Sequence, residues 1–229
     1  MYTDILGQVD IAIMTIYWDS QQEVFDAAHL LRGAVAGNFP DVPLFHQHRE
    51  EGNIYQYPLI QYRWHKRQGI IAGINEGAEL LANISLAGQE MRLGGQVLRV
   101  MEADIDFCCY DLLVASTLQR YYFKSPWLPF NQENYRKYKK MDRKEQILER
   151  DRLLVANILT TLSSLGVHVP CQLYAAFILQ KSVTCQYKSE DFLGFQGDIV
   201  VNFHLPNDLA IGKAVSHGYG WLVREPETV

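Results

Sequence analysis

Apolar and polar residues fall into short blocks along the chain, and the period of each block indicates its element. Gly7 to Trp18 is rich in Val, Ile and Tyr and reads as a strand. Ser20-Gln-Gln-Glu23 has capping-box spacing, so a helix is expected to start there. Val24, Ala28, Leu31 and Val35 then recur on one helical face, with Gly33 and Gly37 weakening the far end. Asn38 to Asn53 reads as loop, broken by Pro40, Pro43 and Gly52. Ile54 to Trp64 and Ile70 to Ile74 are expected to form a hairpin around the basic turn His65-Lys66-Arg67. Asn75 is placed to cap the next helix, with Ala78, Leu81 and Ile84 on its inner face. Gly94-Gly95 marks a turn between Met91–Leu93 and Gln96–Val100.

That order is strand, helix, strand, strand, helix, strand, the βαββαβ unit of ferredoxin-like and RRM-like domains. A second unit of this kind is expected to start near Asp104. Ile105 to Tyr122 is strand-like, and Asn131 to Lys140 is a short polar helix. Arg143 to Leu165 is a strong helix, with Ile147, Leu154, Ile158, Leu162 and Leu165 on one face and Gly166 to end it. Leu173 to Tyr187 and Gly197 to His204 read as strands, and Pro206 to Trp221 as a glycine-bearing loop. The fold class is therefore α+β: tandem ferredoxin-like (RRM-like) domains at 1–102 and 103–229. They repeat in architecture and not in sequence.

Composition narrows the class. The chain has 229 residues, 48% hydrophobic and 21% charged, as an ordinary globular protein does. The N-terminus has no basic n-region or long apolar core, so no export signal is expected. No run of 18 apolar residues marks a membrane span. Adjacent Cys108 and Cys109 lie in an apolar run and are expected to be buried thiols. With Cys171 and Cys185 they form no C-x-x-C pair, which argues against a zinc ribbon and for the cytoplasm. The net charge of −5 argues mildly against nucleic acid, and its distribution softens that. Residues 120–152 hold ten Lys/Arg against five Asp/Glu, a local excess of +5.

The candidate chemistry centres on His46-Gln-His48. Imidazole titrates near neutrality, so two histidines can act as acid and base on one phosphodiester. RNA supplies its own nucleophile, the 2′-hydroxyl, and needs no metal. Two exposed loop histidines with no such role fit the same spacing. A zinc site would need a further ligand, and none lies nearby, so no metal or other cofactor is assigned. Tyr55 and Tyr57 point to one face of their strand and Tyr62 to the other. Tyr55 can orient a phosphate or a histidine. Arg63, Lys66 and Arg67 can grip a phosphate backbone, or simply be solvated. Lys139 and Lys140 lie in a basic run that forms either an electrostatic track or a plain solvated face. The closing loop is neither a Walker loop nor a dinucleotide fingerprint. Its Gly212, Lys213, Ser216, His217, Gly218 and Gly220 can bring backbone amides close to phosphates.

These residues also carry a resemblance. Arg32-Gly33, Pro43-Leu44, His46-x-His48, the strand Tyr57-Pro-Leu-Ile-Gln-Tyr62 and the turn Gly73-Ile-Asn-Glu-Gly-Ala78 resemble the CRISPR repeat-processing RNA endonucleases, in the branch with those two motifs. Pro126-Trp-Leu128, Asn131-Gln-Glu-Asn-Tyr135 and Asn202-Phe203-x-Leu205-Pro206 extend the match over nearly the whole chain. The resemblance implies tandem ferredoxin-like domains that bind the repeat of a precursor transcript. It implies one cut per repeat, without metal, leaving a 2′,3′-cyclic phosphate and a 5′-hydroxyl. The family's catalytic groups map onto His46, His48 and Tyr55, and its glycine-rich loop onto Gly212 to Gly220. The sequence departs at Ala210, where members often have glycine. The implied partner is CRISPR repeat RNA; a second copy of the chain or other CRISPR effector subunits stay open, and no membrane is implied. Two alternatives stand beside this reading: a non-catalytic RNA-binding subunit of an effector complex, and an interaction protein using Arg143 to Leu165 as a dimer face.

Overall fold

The computed structural model describes residues 5–20, 27–46 and 57–224. Contacts divide the chain into two compact units. Val9–Tyr110 and Ser216–Gly218 form one, and the rest of the described chain forms the other.

The first unit runs β1 (Ile5–Trp18, from Val9 on), α1 (Ala27–Asn38), α2 (Pro43–His46), β2 (Ile60–His65), β3 (Gln68–Ile74), α3 (Glu76–Ala82), β4 (Glu90–Leu93) and the first part of β5 (Gln96–Phe123). Its sheet order is β2-β3-β1-β5, with β4 paired to β5 across the Gly94-Gly95 turn. This is the βαββαβ arrangement, with β5 as the fourth strand. Leu31 and Val35 of α1 pack on Met14, Ile16 and Ile71 of the sheet, and Phe45, Ile60 and Tyr62 close the core. Each such side chain contributes about 1.5–3 kcal/mol on leaving water. The turn Lys66-Arg67 is left-handed at both residues, at φ 48° and 64°, the geometry of a two-residue hairpin.

The glycines of the Gly73-Ile-Asn-Glu-Gly-Ala78 turn have a packing reason. A Cβ on Gly73 would lie 2.3 Å from the Gly77 carbonyl oxygen, and one on Gly77 would lie 2.2 Å from that of Leu59. Only bare backbone lets β3, α3 and the start of β2 come this close. Asn75 stands at the helix N-cap, but its side chain accepts from the Asp10 amide at 3.1 Å and makes no cap bond. The cap position ties α3 to β1 instead.

Two expectations need correction here. The first strand of the hairpin begins at Ile60, and residues 57–59 are not strand. Pro58 has no N–H for a ladder and a fixed φ, which explains the late start. Residues 54–56, and residues 21–26 with most of the capping box, lie outside the described residues. Cys108 and Cys109 are exposed, not buried. On β5 the positions from Met101 to Cys109 are exposed on both faces apart from half-buried Ala103, so an apolar run there does not imply a core.

The second unit continues β5 from Asp111, then α4 (Gln132–Tyr138), α5 (Arg143–Ser164), β6 (Ala175–Tyr187), β7 (Glu190–His204) and β8 (Leu222–Arg224). β6 pairs with β7, β7 with β5, and β8 with β5. This repeats the order of the first unit. Between β7 and β8, where the pattern has its second helix, the chain has a glycine-bearing segment with one 3-10 turn at Val215–His217. The hydroxyl of Tyr121 donates to the Leu205 carbonyl and accepts from the Leu205 amide, both at 2.9 Å, which fixes where that segment starts. Asp142 and Glu145 form a reciprocal capping box on α5, and Gly166 ends it at φ +79°. Leu154, Ile158 and Leu162 are buried as expected. Ile147 is 42% exposed, and Arg150 is buried, donating to the Tyr138 hydroxyl at 2.6 Å. Trp127 is fully buried and satisfies its indole N–H on Asn157 at 3.1 Å.

Candidate active site

The described part of the candidate site lies within the first unit, where α1, α2, β2 and Ser216–Gly218 meet. Pro43 opens α2, a position that suits its fixed φ and missing N–H. His46 closes that turn and is half-buried. Its Nε2 lies 3.2 Å from the Phe39 carbonyl oxygen. A carbonyl only accepts, so Nε2 carries the proton and Nδ1 is the basic nitrogen of the ring. Phe45, one residue earlier, is buried, and its carbonyl accepts from the buried Tyr62 hydroxyl at 3.4 Å. Burial pushes the Tyr62 phenol well above its ordinary range, with the Arg32 charge opposing, so it stays a neutral donor. His48 and Tyr55 lie outside the described residues.

Arg32 connects this turn to the glycine-bearing loop. Its Nη2 donates to the His46 carbonyl at 3.2 Å, and its Nη1 lies 3.2 Å from His217 Nε2. Guanidinium only donates, so His217 Nε2 is an acceptor and the ring is neutral in this arrangement. Its Nδ1 then carries the proton and points at Ser216 Oγ, 3.0 Å away. The His217 ring stacks on His29 of α1 with centroids 5.7 Å apart and planes at 14°. Gly218 permits the contact. At φ +91° it takes a left-handed conformation, and a Cβ there would lie 2.9 Å from Ala28 Cβ and 3.1 Å from the Tyr62 carbonyl oxygen.

The other expected site residues are placed as follows. Arg63 is 1% exposed and donates to Gln61 Oε1 at 2.9 Å, so it lies inside the protein and not on a surface track. Lys66 and Arg67 are exposed at the hairpin turn. Lys139 and Lys140 are exposed after α4, with the Lys139 ammonium 4.6 Å from the Tyr135 ring centroid. The Lys213 amide donates to the Leu128 carbonyl, and burial holds its ammonium below the usual lysine range. Gly212 and Gly220 serve the backbone of the second unit. A Cβ on Gly212 would press on Trp127, and one on Gly220 on the Ile211 carbonyl. Ala210 is fully buried and bridges to Trp221, a use that does not require glycine.

Sequence reasoning did not single out Arg32 and His29 as site residues. Arg32 and His217 are 185 positions apart, and nothing in local periodicity signals such a contact. The only hint was that Arg32 falls in the run Arg32-Gly33 that carries the resemblance.

The family comparisons cover almost all of the chain. Residues 9–108 match the Cas6b N-terminal domain and residues 113–225 the Cas6b C-terminal domain. The uncharacterized protein MJ0978 of Methanocaldococcus jannaschii is 36% identical over 151 residues, 65% of this chain and 99% of that protein. A crystal structure of Cas6b is 26% identical, covers 96% of this chain and 100% of that one, and superposes with a TM-score of 0.85. A crystal structure of the CRISPR RNA processing endoribonuclease Cas6b is also 26% identical, covering 94% and 100%, with a TM-score of 0.73. Both halves of the pattern, the histidine turn and the closing glycine loop, fall within the matched regions, and the chain belongs to the Cas6b family.

Proposed function

We propose that this chain is an endoribonuclease that binds the repeat of a CRISPR precursor transcript and cuts it once per repeat without metal, releasing crRNAs. The observation that carries this reading is the convergence of the His46 turn, Arg32 and His217 in one unit. The names of the Cas6b relatives support it.

The chemistry follows from the groups available. A base takes the proton of the 2′-hydroxyl, and its oxygen attacks the adjacent phosphorus. The bond from phosphorus to the 5′-oxygen breaks as an acid protonates that oxygen. The products are a 2′,3′-cyclic phosphate and a 5′-hydroxyl. His46 commits Nε2 to the Phe39 carbonyl, so Nδ1 is the nitrogen that exchanges protons with substrate. His48 is the second acid–base group, and Tyr55 orients the phosphate. The Arg32 guanidinium adds fixed positive charge beside the site, where the phosphorane gathers negative charge. Lys66, Arg67, Lys139 and Lys140 hold the phosphate backbone, and the glycine loop presents Ser216 and His217.

The test is incubation of repeat RNA with the pure protein in EDTA, followed by analysis of the product ends. Cleavage with a cyclic phosphate is expected, and a substrate with a 2′-deoxy sugar at the cut position should bind and stay whole. His46→Ala/His48→Ala should bind RNA and lose nearly all cleavage. RNA that is bound but intact with the unaltered protein would instead identify a binding subunit. Cleavage of the deoxy substrate would place the nucleophile elsewhere.

A further inference from the structure

The segment Asn131-Gln-Glu-Asn-Tyr135 has a use that the proposed cleavage does not absorb. Asn131 caps α4, accepting from the Asn134 amide at 2.7 Å. The residues around it line an open cleft of about 300 Å3, all within the second unit. Its aromatic walls are Phe130, Tyr135 and Phe192. Phe130 is buried, 5.9 Å from Tyr135 at 44°, and forms the floor, while half-buried Tyr135 and Phe192 carry the accessible ring surface. The polar groups are Gln132 and the exposed carboxylates Glu190 and Asp191, on β7 directly after the Lys188-Ser189 turn.

We infer that this cleft takes one unstacked nucleobase of a single-stranded RNA, with guanine preferred. The inference rests on the reading of the chain as a binder of repeat RNA. Single-stranded RNA is read by splaying bases onto aromatic rings and hydrogen-bonding their edges. Two flanking features make RNA the favoured occupant. The Lys139 ammonium sits over the Tyr135 ring that lines the cleft, so a phosphate anchor and a base platform lie within one nucleotide's reach. The chain after α4 adds exposed Lys140, and the first turn of α5 adds exposed Arg143 and Lys144. The carboxylates select the base. Guanine alone presents two adjacent donors, N1–H and the N2 amine, to one carboxylate. Uracil, cytosine and adenine each offer one donor group on that edge. Gln132, with donor and acceptor, can serve the neighbouring edge.

Fluorescence anisotropy with nine-nucleotide RNAs, four uridines on each side of a central A, C, G, U or inosine, tests this. The guanine oligonucleotide should bind about tenfold tighter than the all-uridine one, as a bidentate base contact implies. Inosine, which lacks the N2 amine, should lose most of that gain. Glu190→Gln/Asp191→Asn alters only exposed hairpin residues, so folding should survive, and the preference should vanish. Tyr135→Ala should weaken all five RNAs by about tenfold. Equal affinity for all central bases would overturn the inference, as would a guanine preference that survives in the double variant. An arginine nonapeptide that binds the unaltered protein and not the double variant, with no base preference among the RNAs, would overturn it in favour of a protein-docking cleft. Unaltered protein that cuts repeat RNA but shows no base preference sinks only the cleft. Unaltered protein that neither binds nor cuts repeat RNA sinks the reading beneath it.

Discussion

Replacing Arg32 with alanine should separate the position of the proposed catalytic turn from its chemistry. The guanidinium reaches the His46 carbonyl and His217 Nε2, each at 3.2 Å. At that length each is a modest bond, and removing both should cost about 1–2 kcal/mol of stability. The kinetic effect should be larger. His46 keeps its ring but loses the hold on its backbone, and general acid–base catalysis worth about 10²–10⁴-fold depends on that placement. Arg32→Ala should therefore cut repeat RNA about 10–100-fold more slowly at saturating protein, with a smaller loss of affinity. Arg32→Lys is the sharper probe. It keeps the charge, but one ammonium cannot span both acceptors as a planar fork does. It should hold RNA nearly as well as the unaltered protein and still cleave slowly. Single-turnover rates across pH 5–8, with binding measured in parallel, decide the matter. Full-rate cleavage by Arg32→Ala, or a rate loss explained entirely by affinity, would refute a positioning role.

The other expectations are shorter. Gly218→Ala forces a side chain into a left-handed conformation 2.9 Å from Ala28, so it should cost about 1–3 kcal/mol in thermal melts and loosen His217; a melt and an RNA affinity both equal to wild type would contradict the packing. His204 is held below the usual imidazole range by burial first and the Arg224 charge second. Its stabilising neutral state is complete above the unfolded value, so stability should fall as pH drops below about 6.5, and His204→Gln should flatten that slope in denaturant titrations. Cys108, Cys109 and Cys171 are exposed, whereas burial pushes the Cys185 thiol up to about 11, so maleimide should label three thiols quickly and the fourth only in denaturant. Charge reversal at Lys139 and Lys140 should weaken RNA binding and flatten its salt dependence more than it slows cleavage at saturation, and unaltered titrations would remove this helix from the RNA path.

The legible parts of the fold were those written in local period and punctuation. The face through Leu31 and Val35, the Gly94-Gly95 turn, the helix from Arg143 and its end at Gly166 all follow from neighbours in sequence. Failures arose where a tertiary surface overrode the pattern. The apolar β5 run is exposed, and Arg63 on β2 is buried beside Gln61. The hairpin at Lys66-Arg67 was expected from its flanking strands, whereas the one at Lys188-Ser189 turns on a left-handed pair without the glycine or asparagine that would have announced it. In the site, His46 was visible because imidazoles two apart in a polar loop stand out. The partnership of Arg32 and His29 with His217 was not, because it is closed by contacts far apart in the chain and by the bare backbone of Gly218.

The three residues Ser216–Gly218 join the unit built from Val9–Tyr110, although residues 111–215, which belong to the other unit, intervene in the chain. A ribosome can finish every strand and helix of that unit and still leave Arg32 facing an empty position where His217 belongs. Chains that stop short of these residues, through a premature stop or a clipped tail, should fold their first unit and yet lack its final member. The contact between Arg32 and His217 therefore forms only once synthesis has passed Gly218, which makes it a late-closing contact in a unit whose strands and helices are all made early.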